Sequence, residues 1–228
     1  MKLHEIQKQA EEREMEGRIP EAIELIQKNL EHKENAVLRV KLGELYYVLG
    51  DIPQSIIEFE KVIREHPQHT FALYRLGISY FRATRFLDAI AIFQKINKLA
   101  PDLYMAYYWE GLSYYHTGEI QKAIDAYTRL QERSPSSTLG FYQLSIAYKA
   151  AGEYTKAIDC LLKISQENPN LASVHYHLGR SYLGLSEYEK AVEEFRKVIE
   201  LDPEHNDAKR RLKELTEENL YTFEVPPL

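Results

Sequence analysis

Residues 73–101 read LYRLGISYFRATRFLDAIAIFQKINKLAP, and this pattern recurs along the chain every 34 residues. The stretch contains two apolar segments with helical spacing, which are separated near Thr84 and closed by a proline. Because a helix rarely continues through proline, the pattern predicts a pair of helices that ends before each late proline. These prolines are Pro67, Pro101, Pro135, Pro169 and Pro203.

Two further positions of the pattern predict how the helices turn and cross. A small residue on the first helix predicts a close crossing with the second, because a larger side chain would force the helices apart. A second set, mostly glycine, predicts the turn between the helices, since a helix often ends in a left-handed residue. The crossing residues are Gly43, Gly77, Gly111, Ser145 and Gly179, and the turn residues are Gly50, Thr84, Gly118, Gly152 and Ser186.

The order of these residues resembles the signature of the tetratricopeptide repeat (TPR), W-x2-L-G-x2-Y, then A-x3-F, then P. In this chain it reads Leu73-x2-Leu76-Gly77-x2-Tyr80, Ala89-x3-Phe93, Pro101. The resemblance implies an all-α fold, a right-handed superhelical solenoid of six helix-turn-helix repeats and a C-terminal capping helix. The predicted repeats are 3–35, 36–69, 70–103, 104–137, 138–171 and 172–205, followed by a capping helix at 206–219 and an extended tail at 220–228.

Composition restricts the classes of function. The 228 residues are 44% hydrophobic and 28% charged, and the formal net charge of −6 argues against broad nucleic-acid binding. No apolar run approaches the roughly 18 residues that a membrane span needs, so we expect no membrane insertion. The first residues lack the apolar core of a secretory signal, and Cys160 is the only cysteine. We therefore expect a cytoplasmic protein.

The sequence contains no motif that indicates catalysis. There is no glycine-rich phosphate loop, no nucleophile elbow and no metal-binding helix. His66 and His69 flank Pro67 without a clear third ligand, and Cys160 has no basic residue immediately beside it. We predict no catalytic residue, no metal site and no cofactor, and hence a protein that is not an enzyme.

The resemblance implies that the first helix of each repeat lines a concave groove. In the middle of the chain these helices carry an unusual number of apolar residues. Two interpretations remain open: the side chains pack between neighbouring first helices, or they form an apolar groove that binds a protein or peptide. The predicted groove residues are Phe71, Tyr74, Ile78, Phe81, Met105, Tyr108, Trp109, Leu112, Tyr115, Leu139, Tyr142 and Ile146.

A set of basic residues follows one side of the predicted groove. If they form its rim, the ligand would combine apolar anchors with Asp or Glu. The alternative is an ordinary solvated surface. The set consists of Arg75, Arg82, His116, Lys149 and Arg180.

The function that these features favour is an adaptor that holds a polypeptide segment in the groove. One alternative is a self-assembling homo-oligomer, because the alternating Tyr221, Phe223 and Val225 of the tail could occupy a groove. Another is a targeting module of a larger complex.

Overall fold

The computed structural model describes residues 2–222, with side chains for residues 2–217. In this part of the chain every regular element is an α-helix. The helices are α1 (Leu3–Met15), α2 (Ile19–His32), α3 (Ala36–Leu49), α4 (Ile52–Glu65), α5 (Thr70–Arg82), α6 (Phe86–Leu99), α7 (Met105–His116), α8 (Ile120–Arg133), α9 (Thr138–Ala150), α10 (Tyr154–Glu167), α11 (Ala172–Gly184), α12 (Tyr188–Leu201) and α13 (Asn206–Thr222).

The helices form two compact units, which meet in sequence after Glu119. Unit 1 contains α1 to α7, and each helix packs against the next one along the chain. In unit 2, which contains α8 to α13, successive helices pack in the same way. Two helices fall within each predicted repeat, and those of the fourth repeat belong to different units.

The turn within each predicted repeat has a residue with a positive φ. Glycine adopts this conformation readily, but Thr84 and Ser186 also adopt it, with φ of 57° and 60°. Their position in the 34-residue pattern predicts the turn although their residue type does not favour it. The glycines at this position are Gly17, Gly50, Gly118 and Gly152.

The crossing of α5 and α6 depends on the absence of a side chain at Gly77. A Cβ atom placed there would lie 2.6 Å from Cζ of Phe93, whose ring is fully buried. Gly43 faces Phe59 and Gly179 faces Phe195 in the same way. Ser145 replaces the glycine in α9, and Leu161 replaces the phenylalanine at the corresponding position of α10. A larger residue on the first helix thus accompanies a smaller one on the second.

Two hairpins contain a polar pair with a buried glutamate where α5 and α6 have the apolar residues Leu73 and Ile92. Arg39 bonds Glu58 between α3 and α4, and His175 Nδ1 lies 2.6 Å from Glu194 between α11 and α12. His175 Nε2 also lies 2.7 Å from the Pro169 carbonyl oxygen. His175 is therefore a packing residue of the hairpin.

The last helix is longer than the sequence pattern predicts. α13 continues to Thr222, so residues 220–222 are helical rather than part of an extended tail. No glycine or proline occurs between Asn206 and Pro226, so nothing in this segment stops the helix at 219. The remaining tail residues, 223–228, lie outside the described part of the chain.

The glycine–phenylalanine contact gives a double-mutant test. Gly77→Ser should destabilise the protein by about 1–3 kcal/mol, because the added atoms collide with the Phe93 ring. Adding Phe93→Leu should make the total loss smaller than the sum of the two single losses by about 1 kcal/mol, since it imitates Ser145 and Leu161. Urea unfolding of the four proteins measures this coupling.

A matched control combines Gly77→Ser with Phe195→Leu, which lies in unit 2. These two losses should add within about 0.5 kcal/mol. Strict additivity for Gly77→Ser with Phe93→Leu as well would contradict a shared contact.

Candidate functional site

The first helices of the hairpins form one surface in each unit. In unit 1, α5 contacts both α3 and α7. In unit 2, side-chain hydrogen bonds join α9 to α11. We call the outward surface of α3, α5 and α7, and that of α9 and α11, the first-helix face of the respective unit.

Several predicted groove residues of unit 1 hold one another in place. Trp109 Nε1 donates to Tyr74 Oη at 3.0 Å, and the Trp109 ring centroid lies 5.3 Å from that of Phe81. All three side chains are partly buried against the core of the unit. Ile78 is only 6% exposed and belongs to that core. These residues support the surface, and Ile78 offers almost no area to a ligand.

The solvent-exposed apolar area of this face lies at the start of the first helices. Phe71 is 50% exposed on the first turn of α5. Val37 is 45% exposed at the corresponding position of α3, and Met105 holds that position in α7, half-buried. The sequence prediction did not include Val37, although the 34-residue pattern places it 34 positions before Phe71.

The other predicted groove residues are half-buried. The Tyr108 ring centroid lies 5.2 Å from that of Trp109, so Tyr108 extends the aromatic cluster of unit 1. Each unit thus presents partly accessible apolar side chains on its own first-helix face. They are Tyr108, Leu112 and Tyr115 in unit 1, and Leu139, Tyr142 and Ile146 in unit 2.

In unit 1 the predicted basic rim residues contact other side chains of the protein. The guanidinium groups of Arg75 and Arg82 both lie 4.7 Å from the centroid of the Tyr47 ring. Arg75 Nε is also 3.6 Å from a carboxylate oxygen of Glu44. His116 stacks on Phe86 at a centroid distance of 4.9 Å. These side chains contribute to the packing of the face, although Arg82 and His116 remain exposed.

In unit 2 the corresponding residues form a hydrogen-bonded chain. Lys149 Nζ lies 2.8 Å from His177 Nδ1, and His177 Nε2 lies 3.0 Å from Tyr142 Oη. A lysine ammonium can only donate, so Nδ1 must accept and the imidazole proton is on Nε2. His177 therefore donates to Tyr142. The sequence analysis did not predict His177 as a site residue, because its hydrogen-bond partners lie on a different helix.

Burial shifts the pKa values of two side chains in this hydrogen-bonded chain. Burial, followed by the charges of Lys149 and Arg180, lowers the pKa of His177 to about 4. Burial and the charge of Arg180 lower the pKa of Lys149 to about 8. At neutral pH the histidine is therefore neutral, while most of the lysine is still charged.

Other side chains of types that can act in catalysis or metal binding have structural roles. His69 Nδ1 accepts a hydrogen bond from the Ala72 backbone at 3.2 Å and caps α5. Cys160 is buried, and this burial raises the pKa of its thiol to about 11, which disfavours the reactive thiolate. Among the described residues, no cluster of three or more His, Cys, Asp or Glu could hold a metal ion.

The low pKa of His177 predicts a loss of stability in acid. Between pH 6.5 and about 4 the unfolded chain binds a proton that the folded chain does not, so stability falls as pH falls through this window. Because the ring is partly exposed to solvent, we expect a contribution of about 1 kcal/mol between pH 7.5 and 5. Urea unfolding of wild type and His177→Gln at both pH values measures it.

The His177→Gln variant should lose less stability on acidification than wild type, because glutamine does not titrate. The exposed His66→Gln serves as the control and should retain the wild-type dependence. An identical dependence in wild type and His177→Gln would contradict the assignment.

None of the helices in the described part of the chain has the length and apolar character that a membrane span requires. Comparison with curated protein sequences gives no match. Solved structures do match. MamA superposes with a TM-score of 0.68 and 28% identity over 71% of this chain and 95% of its own.

Two further structures support the same fold. MamA from Desulfovibrio magneticus RS-1 gives a TM-score of 0.70 and 23% identity, covering 75% of this chain and 97% of its own. YrrB, a TPR protein with an unusual peptide-binding site, gives 0.71 and 19%, covering 82% and 97%.

Three family models, each described as a tetratricopeptide repeat, match the chain. One matches residues 40–103 and 74–138, another matches 140–170 and the third matches 172–205. These ranges contain the residues that carry the repeated pattern. The chain belongs to the tetratricopeptide-repeat family, and its fold is an all-α TPR solenoid.

Proposed function

We propose that this protein is a scaffold that binds a segment of another polypeptide on its first-helix face. The observation that carries the proposal is the pair Val37 and Phe71. These apolar side chains are about half exposed at the same position of two first helices that contact each other. Exposed apolar side chains that share one face of neighbouring helices are typical of interaction sites.

The surface behind this pair is already ordered. Trp109 contacts Tyr74 and Phe81, and all three pack against the core. Arg75 and Arg82 both lie over the Tyr47 ring. A ligand would therefore meet a surface whose side chains lose little freedom on binding, which favours affinity. An extended peptide or an amphipathic helix could place apolar anchors against Phe71 and Val37.

The comparisons support this proposal at the level of the fold. TPR proteins bind protein partners, and they are generally scaffolds rather than enzymes. The similarity to YrrB extends to the fold, on which that protein carries a peptide-binding site. We propose a non-catalytic role in the cytoplasm for this chain. Homo-oligomerisation and a targeting role in a larger complex are the competing proposals.

Selection of peptides from a library of random dodecapeptides tests the proposal. Val37→Ser/Phe71→Ser should weaken the selected peptides by about tenfold or more, because truncating an apolar anchor typically costs over 1 kcal/mol. Fluorescence anisotropy with a labelled peptide measures the dissociation constants.

The matched control is Ile57→Ser/Leu87→Ser, which removes two exposed apolar side chains from second helices of the same unit. It should bind like wild type. Equal weakening by both pairs, or no selected peptide, would contradict a ligand site on the first-helix face. Sedimentation of the same variants reports self-association, which the competing homo-oligomer predicts.

A further inference from the structure

The positive charges on the first-helix faces have different neighbours in the two units. In unit 1, Lys41 lies 2.5 Å from Glu14, and Arg75 lies 3.6 Å from Glu44. In unit 2, α9 and α11 contain Lys149 and Arg180 but no Asp or Glu. Among residues 120–217 no carboxylate pairs with either cation. Unit 2 therefore has a positive patch that its own side chains leave uncompensated.

The hydrogen bonds of this patch all run in one direction. Lys149 donates to His177, and His177 donates to Tyr142. The phenol oxygen of Tyr142 accepts from His177, so its own hydrogen can point away from the chain of bonds. Burial raises the pKa of Tyr142, which keeps the hydroxyl protonated.

The groups of this patch that remain available to a ligand are therefore hydrogen-bond donors. They are the two other N–H bonds of Lys149, the O–H of Tyr142 and the N–H groups of Arg180, whose guanidinium carbon lies 5.9 Å from the Tyr176 ring centroid. Arg180 follows His177 by three residues on α11, and hence lies on the same side of that helix. Its charge is close enough to lower the pKa of both Lys149 and His177. A half-buried ammonium without a counter-ion is unfavourable, and an oxygen anion would supply both the charge and the acceptors.

We propose that Lys149, Arg180 and Tyr142 form a carboxylate-binding subsite, which takes an Asp or Glu side chain of the bound polypeptide. His177 is a positioning residue that orients the lysine and the phenol. The inference rests on the proposed function, because it names a side chain that a polypeptide bound to the first-helix face of unit 2 would carry. A phosphoserine side chain offers the same oxygen-anion chemistry, and the experiment separates the two sources.

The test titrates the full chain with acetyl-Ala-Glu-Ala-amide and follows the His177 ring signals by NMR. His177→Gln identifies these signals. The glutamate peptide should shift them to saturation, and acetyl-Ala-Gln-Ala-amide should not. Acetyl-Ala-phosphoserine-Ala-amide is the third probe, and it should bind no more tightly than the glutamate peptide. Lys149→Met/Arg180→Met should weaken the glutamate peptide by about tenfold or more, as expected for hydrogen bonds to a charged group.

The control Lys163→Met/Arg196→Met removes the same charge from exposed positions on the second helices α10 and α12, and should bind like wild type. Four results would overturn the proposal: no saturable shift, an equal response to the glutamine peptide, an unchanged affinity in Lys149→Met/Arg180→Met, or tighter binding of the phosphoserine peptide than of the glutamate peptide. The probe has one anionic residue and no apolar anchor, so failure here leaves the Phe71 test unaffected. Loss of Phe71-dependent binding would likewise leave this titration interpretable.

Discussion

The close approach of a glycine backbone to an aromatic ring is the constraint on which the hairpins depend. At Gly77 there is no room for a Cβ atom beside Phe93, and Gly43 and Gly179 repeat the arrangement. The contact fixes the separation of the two helices, and with it the side of the first helix that turns away from the second. Within each unit, first helices that neighbour each other can therefore combine side chains at equivalent positions into one surface.

The properties of that surface differ between the units, although the same repeat builds both. In unit 1 the aromatic and basic side chains satisfy one another, and Val37 and Phe71 stay accessible. In unit 2 a hydrogen-bonded chain joins Lys149, His177 and Tyr142.

The sequence predicts the helices and turns well because each depends on local residues that recur. Even Thr84 and Ser186, which disfavour a positive φ, occupy the turn that the pattern assigns. The end of α13 was less predictable, since no residue there stops a helix. The family assignment is confirmed by the models that match residues 40–138, 140–170 and 172–205.

The candidate site was less accessible to sequence reasoning, because exposure depends on distances between helices that are far apart in the chain. Ile78 and Phe71 are both apolar residues of α5, and both are predicted groove residues. Yet Ile78 is buried and Phe71 is half exposed. The basic residues also look like one set, but Arg75 has a carboxylate neighbour while Lys149 bonds a neutral histidine. The groove and rim residues remain predictions that binding experiments must test.

The most direct measurement of the central claim is the position of a bound peptide on the protein. A library-selected peptide carrying a nitroxide label would broaden the amide NMR signals of nearby residues. Binding on the first-helix face predicts broadening in α3, α5, α7, α9 or α11, with α4, α6, α10 and α12 much less affected. Broadening centred on those second helices would contradict the claim and place the binding surface on the opposite side of the hairpins.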